Sequence, residues 1–110
     1  LLEVNVGKEE SKSGIFLEGL NDLIAEVSEM ENIKIKGLMT IPPICDSEAE
    51  VSKYFESMYQ TFIDIKNKKI DNVDMDILSM GMSHDYEAAI KNGSNIVRVG
   101  SAIFGARKYF

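Results

Sequence analysis

Apolar and polar positions fall into two kinds of block along this chain, and the blocks take turns. Residues 1–6, with Leu1, Leu2, Val4 and Val6, form a short apolar run bounded by Gly7 and the polar stretch 8–13. Such a run predicts a buried strand followed by a loop. Phe16, Leu20, Leu23, Ile24, Val27 and Met30 then recur at three-and-four spacing, which gathers them on one helical face with Glu18, Asp22, Glu26 and Glu29 toward water. A second strand is expected over 34–39, stopped by Pro42 and Pro43, which lack backbone donors and hold φ fixed.

Ser47 followed by Glu50 is a capping-box signature, because each side chain can satisfy an amide that the first helical turn leaves without a partner. Val51, Tyr54, Phe55, Met58, Phe62 and Ile65 keep helical register behind it, and the run fades at Asn67, Lys68 and Lys69, where cations suit a helix carboxyl end. The third strand is expected over 76–80, ending at Gly81. Ser83 then offers a cap, Asp85 and Glu87 place negative charge in the first turn, and Gly93 closes a short helix. A fourth strand over 95–99 ends at Gly100, and Ser101, Ala102, Ile103 and Phe104 open another helix.

Strand and helix thus alternate, with connections too long for hairpins, so the strands are expected to be parallel and joined by right-handed crossovers. Two α/β architectures use that grammar: an open doubly wound sheet and a (βα)8 barrel. A whole barrel takes about 250 residues, so the 110 residues here could supply about half of one.

Composition changes the picture in one respect. Hydrophobic residues make up 45% and charged ones 27%, as in an ordinary globular domain, but 18 acidic side chains against 12 basic ones leave a net charge of -6. No general attraction to nucleic acid or to an anionic membrane is available, so any anion site must be built locally. Cys45 stands alone, there is no signal-peptide pattern and no long apolar run, and the cytoplasm is the default location.

Local anion chemistry is visible at two strand ends, Met80-Gly81-Met82-Ser83 and Arg98-Val99-Gly100-Ser101. In each, a glycine allows close backbone approach, a hydroxyl comes next, and a helix start supplies free amides and roughly half a positive charge. Taken singly, either device is an ordinary tight turn with a helix cap; side by side they can make a phosphate cradle. Arg98 sharpens the point, because alternation puts it with Ile96 on the face opposite Val97 and Val99, among apolar neighbours. A guanidinium there needs an acceptor: a salt bridge to Asp74 or Asp76, or a ligand nitrogen or phosphate oxygen. His84, the single histidine, is expected in an exposed first turn without a catalytic role, and Lys8 and Lys12 on a strand's carboxyl rim as solvated side chains. No nucleophile–base pair or metal-ligand cluster stands out.

Val4-Asn5-Val6-Gly7, Ser11-Lys12-Ser13-Gly14, Gly37-Leu38-Met39-Thr40-Ile41-Pro42-Pro43, Leu78-Ser79-Met80-Gly81-Met82-Ser83 and Val97-Arg98-Val99-Gly100-Ser101-Ala102-Ile103-Phe104-Gly105, in this order and spacing, resemble the pyridoxal phosphate homeostasis protein family. That family's barrel is similar to the amino-terminal domain of alanine racemase, fold type III among proteins that use pyridoxal 5′-phosphate (PLP). The resemblance implies a single partial domain over 1–110, the last four βα units of a (βα)8 barrel. It also implies that Ser83, Gly100 and Ser101 hold the PLP phosphate, that Met82 lines the site, and that Arg98 faces the pyridine nitrogen. A guanidinium does not give its proton to the ring, which leaves a poor electron sink and suits a carrier better than a transaminase.

Two departures matter. Ser101 stands where the family often has threonine, and the hydroxyl is kept. The family's Schiff-base lysine lies in an amino-terminal half with no counterpart here, so the chain is expected to be a piece of a longer protein. An amino-acid racemase of the same fold is the alternative; racemases of the alanine type add a carboxy-terminal β domain with a tyrosine base, whereas this chain ends at Phe110 much as the homeostasis family does. Unpaired edges at residues 1–6 and 95–99 predict self-association, or pairing with the absent half.

Overall fold

In the computed structural model, which describes residues 1–105, the elements run β1 (Leu2–Val4), α1 (Leu17–Ser28), β2 (Ile35–Thr40), α2 (Glu48–Lys68), β3 (Val73–Met82), α3 (Tyr86–Lys91), β4 (Ile96–Arg98) and α4 (Ser101–Phe104). The strands form one parallel sheet in the order β1-β2-β3-β4. A doubly wound sheet reverses its order at a switch point. Here every strand lies beside its sequence neighbour, so the sheet winds in one direction, and right-handed crossovers of that kind stack the helices on one face.

The core lies between that face and the helices. Leu20 and Ile24 of α1, Phe55 and Met58 of α2, and Ala88 and Ala89 of α3 join Leu38, Leu78 and Met80 of the sheet in one buried cluster. Phe55 is fully buried, and burial of such a side chain stabilises by roughly 1.5–3 kcal/mol. On the other face, strand register aligns Glu3, Met39, Ser79 and Ile96 across all four strands. This second face is only partly covered, with Ile96 exposed.

Helix α2 begins as its capping signature predicts: the Ser47 hydroxyl accepts from the Glu50 amide at 3.2 Å. It ends at Lys69, whose φ of 50° turns the chain left-handed after Lys66 and Lys68. Ser47→Ala is expected to cost about 1 kcal/mol and to lower Tm by about 4 °C in calorimetry. An unchanged Tm would show that the cap is replaced by solvent.

Several boundaries differ from the sequence expectation: β3 runs through Gly81 to Met82 instead of ending at Gly81, β2 shifts by a residue, β4 is a residue shorter at each end, and three further differences have a visible cause. Strand β3 starts at Val73, three residues early, because Asp74 and Asp76 are strand residues whose charges are met across the sheet. Lys34 lies 2.9 Å from Asp74, and Lys36 lies 2.7 Å from Asp76 and 3.6 Å from Asp74. Strand β1 is shorter than 1–6, since Asn5 leaves the ladder to organise the next loop: its Oδ1 accepts from the Glu9 amide at 3.0 Å and its Nδ2 donates to the Glu9 carbonyl at 2.6 Å. That loop returns along the outer side of β1, where Asn5 N donates to Ile15 O at 2.8 Å and Ile15 N to Glu3 O at 2.9 Å. The β1 edge is therefore partly closed by its own chain. Helix α3, finally, starts at Tyr86 with Asp85 as its N-cap residue, so Ser83 does not cap it.

Candidate functional site

Between β3 and β4 the register advances three residues on one strand against two on the other, from Ser79↔Ile96 to Met82↔Arg98. A β-bulge of this kind bends the strand and re-aims the residues beyond it. Gly81 absorbs it at a φ of +109°, and a Cβ there would meet Ala89 Cβ at 2.8 Å and Tyr86 Cα at 3.1 Å, so glycine is required for both conformation and space. The strand then delivers Met82 and Ser83 to the start of α4. There the Ser83 hydroxyl oxygen accepts from Gly100 N and from Ala102 N, both at 3.1 Å.

The two Gly-Ser devices are thus brought to one point, at the carboxyl ends of neighbouring strands. The second device supplies the amides and the first the oxygen: Gly100 N and Ala102 N are directed at the Ser83 hydroxyl, while Met82 N goes to Asp85. Gly100 faces open space: a Cβ at that position would meet nothing within 4 Å, and its φ of −109° is accessible to any residue. Nothing among the described residues asks for glycine there, and the space a side chain would fill is open. Ser101 begins α4 and is exposed. Met82 is half-buried, with its amide donating to Asp85 Oδ1 at 2.7 Å.

Arg98 does not pair with Asp74 or Asp76, which are taken by Lys34, just before β2, and by Lys36 within it. Its Nη2 reaches across β3 and donates to the Thr40 carbonyl at 2.8 Å and, more weakly, to the Ser79 carbonyl at 3.5 Å. The carbonyls compensate the guanidinium only in part, and Nε is buried with no acceptor among the described residues. Burial pushes the basicity of Arg98 below its usual range, while the negative charges of Asp85 and Glu3 pull it back up. A buried donor without a partner is a place where a ligand acceptor gains a full hydrogen bond.

The remaining candidates carry less, and two expectations are corrected: His84 lies in the turn before α3 and not in its first turn, and Lys8 and Lys12 are held in ion pairs rather than simply solvated. His84 is exposed, with Nε2 3.5 Å from Asp85 Oδ2. Lys8 pairs with Glu18 and Lys12 with Glu9, and Lys12 Nζ also reaches Pro42 O at 3.4 Å. Cys45 donates to Pro43 O at 3.3 Å, and burial pushes its thiol pKa up, away from nucleophilic use. A cleft of about 370 Å³ between the β2–α2 and β3–α3 connections is lined by Cys45, Asp46, Ser83, His84, Asp85 and Glu87 among others. It shares Ser83 with the Gly-Ser site but includes neither Arg98 nor Gly100. No group of three or more His, Cys, Asp or Glu among the described residues is arranged to hold a metal ion. Asp85 and Thr40 are the site residues that sequence reasoning missed. The Thr40 hydroxyl donates to Val4 O at 2.6 Å, which ties β2 to β1 just where its carbonyl receives Arg98.

The family model of the alanine racemase N-terminal domain matches residues 1–108. The chain belongs to that family. A pyridoxal phosphate homeostasis protein of Aquifex aeolicus is 45% identical over 109 residues, covering 99% of this chain and 47% of that protein. The chain therefore spans about half the length of the curated relatives it matches. A crystal structure of an unknown protein from Bifidobacterium adolescentis superposes with a TM-score of 0.88 at 38% identity, over 94% of this chain and 42% of the other. PipY of Synechococcus elongatus, solved with PLP bound, gives a TM-score of 0.77 at 25% identity, over 94% and 49%. These likenesses bear out the resemblance seen in the motifs. Residues 106–110, which carry the expected family-like ending, lie outside the described residues, and no described helix is long and apolar enough to cross a membrane.

Proposed function

We propose that this chain is a PLP-binding unit of intracellular PLP homeostasis, gripping the cofactor phosphate at the carboxyl ends of its last two strands without robust catalysis. In this reading the sheet is the last four βα units of a (βα)8 barrel. The observation that carries it is the convergence of Ser83 with the Gly100 and Ala102 amides. In an otherwise negative molecule that convergence supplies the kinds of donor a phosphate takes, a hydroxyl and backbone amides at a helix start. Ser101 adds a second hydroxyl at that start, Met82 lines it, and Arg98, whose buried Nε has no acceptor among the described residues, is the donor assigned to the ring nitrogen. Bound PLP supplies a dianionic handle and an electron-withdrawing ring; the residues here hold the handle and keep a non-dissociating donor beside the ring. The PLP-bound likeness of PipY and the relatives' names support the same ligand.

Binding decides it. PLP is expected to bind the protein, inorganic phosphate to compete, and Ser83→Ala to weaken PLP by roughly ten- to a hundredfold, the worth of one hydrogen bond to a charged group. Absence of PLP binding, or binding that phosphate does not compete with, overturns the reading. The family model's description supports a second one, amino-acid racemisation. It requires the PLP-loaded protein to interconvert alanine enantiomers, whereas the carrier reading requires none.

We further propose that β4 is an association edge. Its outer side is unpaired among the described strands, and Ile96, Ile103 and Phe104 are exposed on it and on the helix after it. Light scattering of this chain at rising concentration is expected to show self-association, and a persistent monomer would refute it.

A further inference from the structure

Asp85 is the buried carboxylate that the phosphate reading leaves without a task. It is 9% exposed, and no lysine or arginine pairs with it among the described residues; its Oδ2 lies 3.5 Å from Nε2 of the exposed His84 imidazole. Its Oδ1 accepts from Met82 N at 2.7 Å, its own amide donates to Met82 O at 3.2 Å, and its carbonyl accepts from Ala89 N at 3.1 Å. Ser83 therefore sits in a short loop tied at both ends through Asp85. The same loop holds the Ser83 hydroxyl against Gly100 N and Ala102 N.

Charge is the second consideration. Asp85 lies two residues beyond Ser83, so their Cα atoms are within about 7.6 Å of each other. A dianion at the Ser83 hydroxyl would share this turn with the Asp85 carboxylate, whose Oδ1 is held at the amide of Met82, the residue next to Ser83. The same negative charge is felt by Arg98, which places it on this rim of the sheet. A site built for the tightest grip would carry an amide in that position.

Resting on the phosphate-binding reading above, we infer that Asp85 is the positioning residue of the phosphate turn and the charge that limits its hold on a dianion. It keeps the site both formed and releasable. The turn needs an acceptor for Met82 N, and a carboxylate supplies it together with a repulsion that favours delivery of the ligand.

Two variants separate the roles. Asp85→Asn keeps an acceptor oxygen and removes the charge, so inorganic phosphate and PLP are expected to bind roughly tenfold tighter, as one charge acting on a dianion at such distances allows. Asp85→Ala removes both, so amide hydrogen exchange at Met82, Gly100 and Ala102 is expected to accelerate at least roughly tenfold in the ligand-free protein. Asp85→Asn should leave those rates within about twofold. Equal or weaker phosphate binding by Asp85→Asn overturns the charge role, and unchanged exchange at Gly100 and Ala102 in Asp85→Ala overturns the positioning role. A wild-type protein that binds no phosphate sinks the functional reading instead, and the ligand-free exchange rates still decide whether Asp85 holds the turn.

Discussion

Replacing Gly37 with alanine is expected to abolish cooperative folding. Gly37 is buried in the middle of β2, and a Cβ there would lie 1.8 Å from Ile77 O and 2.7 Å from Ile77 C. Both atoms are backbone of the partner strand, so no rotamer change relieves the clash. The local register explains the proximity, since β2 advances two residues from Ile35 to Gly37 while β3 advances four from Val73 to Ile77. This irregularity presses the two strands together. They are the central pair of the sheet, so parting them removes support from β1 and β4 as well. The loss is on the order of the whole 5–10 kcal/mol that stabilises a domain of this size. Circular dichroism and a thermal melt check it, and a cooperative transition within a few degrees of wild type would refute the steric account.

How much of the fold was legible depends on whether the cause is local. Helix α2 was fully readable, because its cap at Ser47 and its apolar stripe through Phe55, Met58 and Phe62 are written within single turns of the chain. The early start of β3 was not. Val73 to Met75, with Asp74 among them, look like loop residues until the β2–β3 register sets Lys34 and Lys36 against Asp74 and Asp76. The demand at Gly37 was equally hidden, since the obstacle is not beside it in the chain but on the neighbouring strand, at Ile77. At the site, the pairing of Gly81-Met82-Ser83 with Gly100-Ser101 announced a common point at neighbouring strand ends. Where α3 starts could not be read the same way, because Ser83 and Asp85 are both good cap residues; Asp85 takes the N-cap position but turns its side chain back to Met82 N instead of capping the helix.

Arg98 shows the same limit and gives the sharpest functional test. Alternation correctly set it apart from Val97, yet its acceptors are carbonyls of two other strands, Thr40 and Ser79, which no local pattern names. Arg98→Met is expected to cost about 1.5–3 kcal/mol of stability, the worth of a charge-assisted hydrogen bond, read as a lower urea midpoint. Arg98→Lys keeps the positive charge but loses the planar fork, so one ammonium cannot serve the Thr40 carbonyl and a ring acceptor with the same geometry. Inorganic phosphate should then bind Arg98→Lys within about threefold of wild type, because the Gly100 and Ala102 amides are untouched, while PLP weakens at least roughly tenfold. That split separates a donor for the ring from a general attraction for anions. Parallel losses of phosphate and PLP would assign Arg98 to the phosphate or to the sheet alone, and with it the ring-facing role would fall.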